Sequence, residues 1–96
     1  MSFTVFVDDN FHYLDESERY ELGRFPKLAA AISAAQRLVN DYLITAYRPG
    51  MTAETLFQNY MSFGEDPFII TANGEKVDFS AQTYARQRCE EMCIST

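Results

Sequence analysis

Residues 27–47 carry a helical periodicity that constrains the fold of this chain more than any other feature does. Apolar side chains recur there at three- and four-residue steps along one stripe, which consists of Leu28, Ile32, Ala35, Leu38, Val39, Tyr42, Leu43 and Ala46. This spacing predicts one long amphipathic helix. Pro26 is favourable in the first turn of such a helix, and Pro49 followed by Gly50 indicates where it ends.

Two β-like segments precede this helix. Residues 3–7 place Val5 and Val7 on the same face, and residues 18–25 alternate in a similar way. A polar and aromatic loop connects the two segments, so they are predicted to form an antiparallel hairpin. Gly23 in the second segment indicates a bulge or a close contact.

Two shorter helices are predicted after the long one. Thr52 is a suitable N-cap for a helix over residues 53–62, and Ser80 is a suitable N-cap for a last helix over residues 81–93. Apolar side chains recur at helical spacing in both segments. The sequence therefore predicts about three helices in all.

A third strand is predicted between the two shorter helices. Residues 68–72 form an apolar run, which favours a central or well-covered place in a sheet. Asn73 and Gly74 then give a turn signal, and residues 75–77 are predicted to return as a short strand. The predicted order is β-β-α-α-β-(β)-α. It indicates a single α+β domain over residues 1–96, with an antiparallel sheet of three to four strands and the helices mainly on one face.

The charge of the chain is concentrated near its start. Residues 8–18 hold five of the fourteen carboxylates and the single histidine, without any Lys or Arg. A net charge of −6 argues against nucleic acid and against an anionic membrane surface, and it favours a protein partner with a basic or polar surface. The chain lacks an apolar run near the ~20 residues that span a bilayer, and its two cysteines do not suggest a disulfide framework, so a cytoplasmic protein is expected.

An aromatic triplet within the acidic stretch is the main candidate for a binding site. Aromatic rings flanked by carboxylates can accept a Lys or Arg side chain by cation–π contact and ion pairing. The leading hypothesis is a small non-enzymatic binding or regulatory module. Its anchors would be Phe11, His12 and Tyr13, and its electrostatic surround would be Asp8, Asp9 and Asp15. The alternative that these rings fold back to cap the edge of the sheet stays open.

Catalysis is not predicted, but an enzyme is kept as an alternative. His12 with a nearby carboxylate could act as a general base in a small enzyme or ligand-binding protein. Candidate nucleophiles such as Ser17 and Cys89 lie in no recognisable catalytic motif. The acidic stretch lacks EF-hand spacing, and Cys89, Cys93 and His12 fall short of a typical zinc set, so neither a metal nor a cofactor is predicted.

Two further hypotheses concern the middle of the chain. A homo-oligomeric structural protein is the other alternative, with an interface formed by Phe57, Tyr60 and Phe63 of the short second helix. If the turns on either side of that helix converge, Arg48 could pair with Glu65 or Asp66.

Three strings of residues resemble a group of small bacterial proteins of unassigned function. They are FTVFVDDNFHYLDESERYELGRF at residues 3–25, GEDPFI at 64–69 and FSAQTYARQRC at 79–89. The resemblance covers nearly the whole chain. It implies a bacterial, intracellular, stand-alone domain, and it supplies no reaction, ligand or catalytic residue.

Overall fold

The computed structural model describes residues 2–9 and 19–93, and these form an α+β fold. The elements in chain order are β1 (Phe3–Asp9), β2 (Tyr20–Phe25), α1 (Leu28–Ala46), α2 (Ala53–Phe63), β3 (Glu65–Thr71) and α3 (Ala81–Met92). The predicted fold class is therefore confirmed. The returning strand predicted after Asn73-Gly74 is only a single bridge between Ile70 and Lys76, so the sheet in the described part of the chain has three strands.

The three strands are antiparallel in the order β2-β1-β3. The predicted hairpin of β1 and β2 is confirmed. Val5 lies opposite Gly23, whereas the next residue of β1, Phe6, lies opposite Glu21. Leu22 is therefore the extra residue of a β-bulge. It is adjacent to Gly23, from which a bulge was predicted.

The third strand lies at an edge of the sheet, so of the two positions predicted for it, central or well covered, the central one is wrong. β3 begins at Glu65, earlier than predicted, and it includes the buried Pro67. Proline cannot donate a backbone hydrogen bond, which is tolerated at an edge. Farther along this edge, the Val77 N–H donates to the Ile69 carbonyl at 2.8 Å. Pro67 therefore removes one backbone donor from the outer edge of β3, and residues 75–77 cover the edge farther along.

Helix α1 packs on the face of the sheet that carries Val5 and Ile69. Its fully buried residues are Ala31, Ala35, Val39 and Leu43, and the two alanines contact the buried strand residues. The buried line is shifted from the predicted stripe, and Leu28 is 37% exposed. Small side chains let a helix lie close to a sheet, which explains why alanines take the central positions. Lys27 is the N-cap, so Pro26 precedes the helix instead of entering its first turn.

Helices α2 and α3 pack against α1 and against each other, and both begin where predicted. The Thr52 hydroxyl accepts from the Thr55 N–H, and the Ser80 hydroxyl accepts from the Thr83 N–H, each at 3.1 Å. These are standard N-caps. The core between the helices consists of Val39, Leu43, Leu56, Tyr60, Ala81, Ala85 and Cys89. Within the described ranges, the helices are too short or too polar to cross a membrane.

Candidate functional site

The residues predicted to bind a partner lie where β1 ends. Asp8 and Asp9 are the last two residues of β1. Phe11, His12, Tyr13 and Asp15 lie outside the described residues, so their proposed role stays a prediction.

The register of the sheet brings two further acidic residues to this place. Asp8 lies opposite Asp66, and Asp9 lies opposite Glu65. We refer to these four residues as the acidic end of the sheet. The sequence pattern had assigned Glu65 and Asp66 to a turn, because the long-range pairing that places them beside β1 leaves no local signal.

Arg19 is the main counterion of Asp8. Its Nε lies 2.6 Å from Oδ1 of Asp8, and its Nη2 donates to Oδ2 at 3.2 Å. The Arg19 guanidinium also lies 5.0 Å from the ring centroid of Phe68. Because the pair is partly exposed, it contributes only ~0–1 kcal/mol to stability. It does neutralise Asp8 at the point where the acidic stretch leaves the sheet.

Asp66 has a less favourable environment. Burial raises the pKa of its carboxyl group, the charge of Asp8 raises it further, and Lys76 partly offsets both. Among the described residues no donor lies within hydrogen-bond or ion-pair distance of the Asp66 carboxylate. Like charges opposite one another weaken a sheet. A half-buried carboxylate without a partner is therefore kept at some cost in stability, which is frequent at functional sites.

Glu65, by contrast, is held by two tyrosines. The Tyr20 hydroxyl donates to Oε2 of Glu65 at 2.7 Å, and the Tyr60 hydroxyl donates to the Glu65 backbone carbonyl at 2.7 Å. Burial first, and then the hydrogen bond and charge of Glu65, raise the pKa of Tyr20 to about 12. Glu65 therefore anchors β3, and Asp66 is the carboxylate of this strand that remains available to a ligand.

An aromatic surface continues from the acidic end along the second face of the sheet. The rings of Phe6 and Phe68 stack with centroids 5.8 Å apart, and Nζ of Lys76 lies 5.6 Å from the Phe68 centroid. An open groove of about 530 Å³ begins here, and its polar lining consists of Asp66, Lys76, Asp78, Ser80 and Gln82. The arrangement can accept a cationic group at Asp66, whereas the Phe68 ring already lies beside the cationic groups of Arg19 and Lys76.

Three other candidates from the sequence are corrected or limited by the structure. Arg48 donates to the carbonyls of Thr45 and Tyr47 at 2.9 Å, so it closes the end of α1 and does not pair with Glu65 or Asp66. The Cys89 thiol is buried, and burial with the nearby Cys93 raises its pKa to about 11. Across the two described ranges, no three His, Cys, Asp or Glu residues could hold a metal ion together.

The predicted oligomer interface on α2 is wrong for one of its three residues. Tyr60 is fully buried between the helices, so it cannot contact another chain. Phe57 is half-buried beneath Arg86, whose guanidinium lies 4.3 Å from the ring centroid. Phe63 is exposed. The three aromatic residues were predicted to share one surface, but Tyr60 belongs to the core, Phe57 is half-buried and Phe63 lies on the surface.

No model of a known protein family matches the chain, and a search of curated proteins finds no match. The resemblance to small bacterial proteins stays a prediction.

Proposed function

We propose that the chain is a small non-enzymatic binding module that engages a partner protein through the acidic end of the sheet and the aromatic triplet that follows it. The partner would present a basic or polar surface. The observation that carries the proposal is the position of Asp66, half-buried, opposite Asp8 and without a donor in the described part of the chain. A Lys or Arg of a partner would donate to this carboxylate in place of solvent.

The neighbouring groups support a protein partner of this kind. Residues 8–18 add further carboxylates in sequence to the end of β1, so the local charge is strongly negative. Such a charge repels phosphate backbones and attracts a basic segment. Phe68 lies on the same strand as Asp66, with Arg19 and Lys76 over its ring, and aromatic residues surrounded by charges are common in protein interfaces.

Affinity capture from a bacterial lysate, with chemical cross-linking at the acidic end, tests the proposal. The full chain is compared with Phe11→Ala/Tyr13→Ala, with Asp66→Asn and with the control Glu90→Gln, which removes one charge from an exposed position on α3. We expect the wild type and Glu90→Gln to retain the same cross-linked protein and the other two variants to lose it. Identical capture by all four proteins, at equal stability, would overturn the proposal.

The alternative of a small ligand-binding protein or enzyme that uses His12 stays a prediction, because His12 lies outside the described residues. The groove beside Asp66 is the observation that favours testing it. A thermal-shift screen against metals and metabolites, run on the wild type and on His12→Gln, would show a ligand whose stabilisation depends on His12. Equal shifts in the two proteins would exclude His12 from any site found.

A further inference from the structure

The outer edge of β2 has the geometry of a strand-pairing site. β2 lies at one end of the sheet order, and within residues 2–9 and 19–93 no strand pairs with the side that faces away from β1. Tyr20 and Leu22 on this strand are 43% and 38% exposed. An edge with open backbone N–H and C=O groups is a template for another strand.

The hydrogen-bond pattern identifies the residues of β2 whose backbone N–H and C=O groups point toward this unpaired edge. Val77 donates to the Ile69 carbonyl on the outer side of β3, and backbone groups alternate along antiparallel strands. The groups of Val5 therefore point toward β2. Gly23 lies opposite Val5, so its backbone groups point toward β1. Because Leu22 is the extra residue of the bulge, the N–H and C=O groups of Glu21 and Arg24 both point away from β1, to the unpaired edge of β2.

We propose that two copies of the chain pair through β2, antiparallel, about a two-fold axis between Leu22 and Gly23. In this register Glu21 of each copy lies opposite Arg24 of the other copy. Glu21 and Arg24 are the residues whose backbone N–H and C=O groups point away from β1, and in this register they lie opposite one another. Their backbone groups can therefore form the hydrogen bonds of an antiparallel pair. Within one chain these two side chains already form an exposed ion pair, with Nε of Arg24 3.4 Å from Oε2 of Glu21. Because a two-fold interface repeats every contact, pairing adds a second guanidinium to each Glu21 and a second carboxylate to each Arg24 across the axis.

The bulge and the two charges also restrict how the edge can pair. Bulges and charged side chains discourage indiscriminate strand addition. A shift of register that places Glu21 opposite Glu21, or Arg24 opposite Arg24, brings like charges together, which is unfavourable. The charges therefore disfavour other registers while supporting the self-complementary one.

A groove beside the same edge supplies apolar surface for the contact. It has a volume of about 430 Å³, and it lies between β2 and α1. Its lining residues include Leu22 and Phe25 from the strand side and Ala34 and Leu38 from the helix. Because Leu22 adjoins the proposed axis, pairing brings the grooves of both copies to the same side of the joined sheet. Arg37 and Asp41 give this surface both signs of charge, which can complement one another across a two-fold contact.

Sedimentation velocity of the full chain tests the dimer, over concentrations from about 1 μM to about 1 mM, which brackets ordinary weak dimers. Four proteins are compared: the wild type, Glu21→Arg, the charge swap Glu21→Arg/Arg24→Glu, and the control Glu90→Arg. Glu21→Arg places arginine opposite arginine twice, whereas the charge swap restores opposite charges in the same register. The control makes the same change at an exposed position on α3.

We expect the wild type, the charge swap and the control to dimerise with similar affinity. Glu21→Arg should raise the dissociation constant at least about tenfold, because facing like charges are costly at an interface. A wild type that stays monomeric at every concentration would overturn the proposal, and would leave the edge to an extended segment of a different protein. A dimer that tolerates Glu21→Arg, or a charge swap that fails to restore dimerisation, would overturn it as well.

Discussion

The hydroxyl of Tyr60 donates to the backbone carbonyl of Glu65 at 2.7 Å, and the Tyr60 side chain is fully buried. This bond joins the last turns of α2 to the first residue of β3. The helix layer therefore positions the strand that carries Asp66, so the acidic end depends on a core residue for its placement.

Removing this hydroxyl should destabilise the protein without changing its fold. Tyr60→Phe leaves the Glu65 carbonyl without its donor, and we expect a loss of about 1–2 kcal/mol in the free energy of unfolding. Urea denaturation measures it. Tyr47→Phe is the control, because the Tyr47 hydroxyl makes no hydrogen bond to a described residue. Equal midpoints for the two variants would contradict a structural role for the bond.

Gly64 should not tolerate a larger side chain. A Cβ at this position would lie 2.6 Å from Cδ1 of Tyr60 and 2.8 Å from the Tyr60 carbonyl oxygen. The oxygen belongs to the helix backbone and cannot move away easily, so Gly64→Ala should cost about 1–3 kcal/mol. Thermal unfolding measures it against Ser62→Ala, an exposed site at the end of the same helix. A melting temperature for Gly64→Ala within error of that control would refute the clash.

Asp66 should make stability depend on pH in a defined direction. Its pKa is raised above the ordinary value of 3.8, so the folded protein holds the proton more tightly than the unfolded chain. That contribution to stability is present below the unfolded pKa and is lost as pH rises through the folded pKa. Asp66→Asn, which cannot ionise, should therefore be more stable than the wild type at pH 7, and this advantage should shrink on acidification.

The measurement is the urea midpoint at pH 7 and at pH 3.5, and Asp78→Asn serves as the control. Asp78 is exposed and belongs to the lining of the same groove, so its substitution makes the same chemical change nearby. An advantage of Asp66→Asn that is equal at both pH values would show that the effect comes from shape and not from charge.

The two cysteines should differ in reactivity. Cys89 is 1% exposed and its pKa is raised to about 11, whereas Cys93 is only partly buried. Since the thiolate is the reactive form, native Cys89 should be alkylated by iodoacetamide about tenfold or more slowly than Cys93. Peptide mass spectrometry measures both rates. In Cys93→Ser the remaining thiol should react only after urea is added, and rapid native labelling of Cys89 would contradict its burial.

The helices could be predicted closely because their signals are local. Thr52 and Ser80 cap α2 and α3 through N–H groups three residues away, and such short-range bonds are visible in the sequence. The burial of Tyr60 could not be predicted in this way. Its environment depends on how α1, α2 and α3 pack, and helical spacing alone does not distinguish a core aromatic residue from a surface one.

The candidate site shows the same limit. The sequence located Asp8 and Asp9 because carboxylates are dense there, but it gave no reason to join them to Asp66. That relationship arises from the register between β1 and β3, which are more than fifty residues apart in the chain. The apolar run at residues 68–72 suggested a central or a well-covered strand, and Pro67 distinguishes the two, because proline within a sheet occurs mainly on edge strands.

Pro67 also determines what kind of assembly this sheet can make. A sheet with two open edges can add chains at both ends and grow into a fibre, as unprotected strands do in aggregates. Here one end is blocked by a residue without an N–H and by the segment that bonds to Ile69. Among the described strands, only the outer edge of β2 is then open to strand addition, and the two-fold contact proposed there would occupy it. The product would be a closed pair with a finite mass, so an open edge would be used without polymerisation.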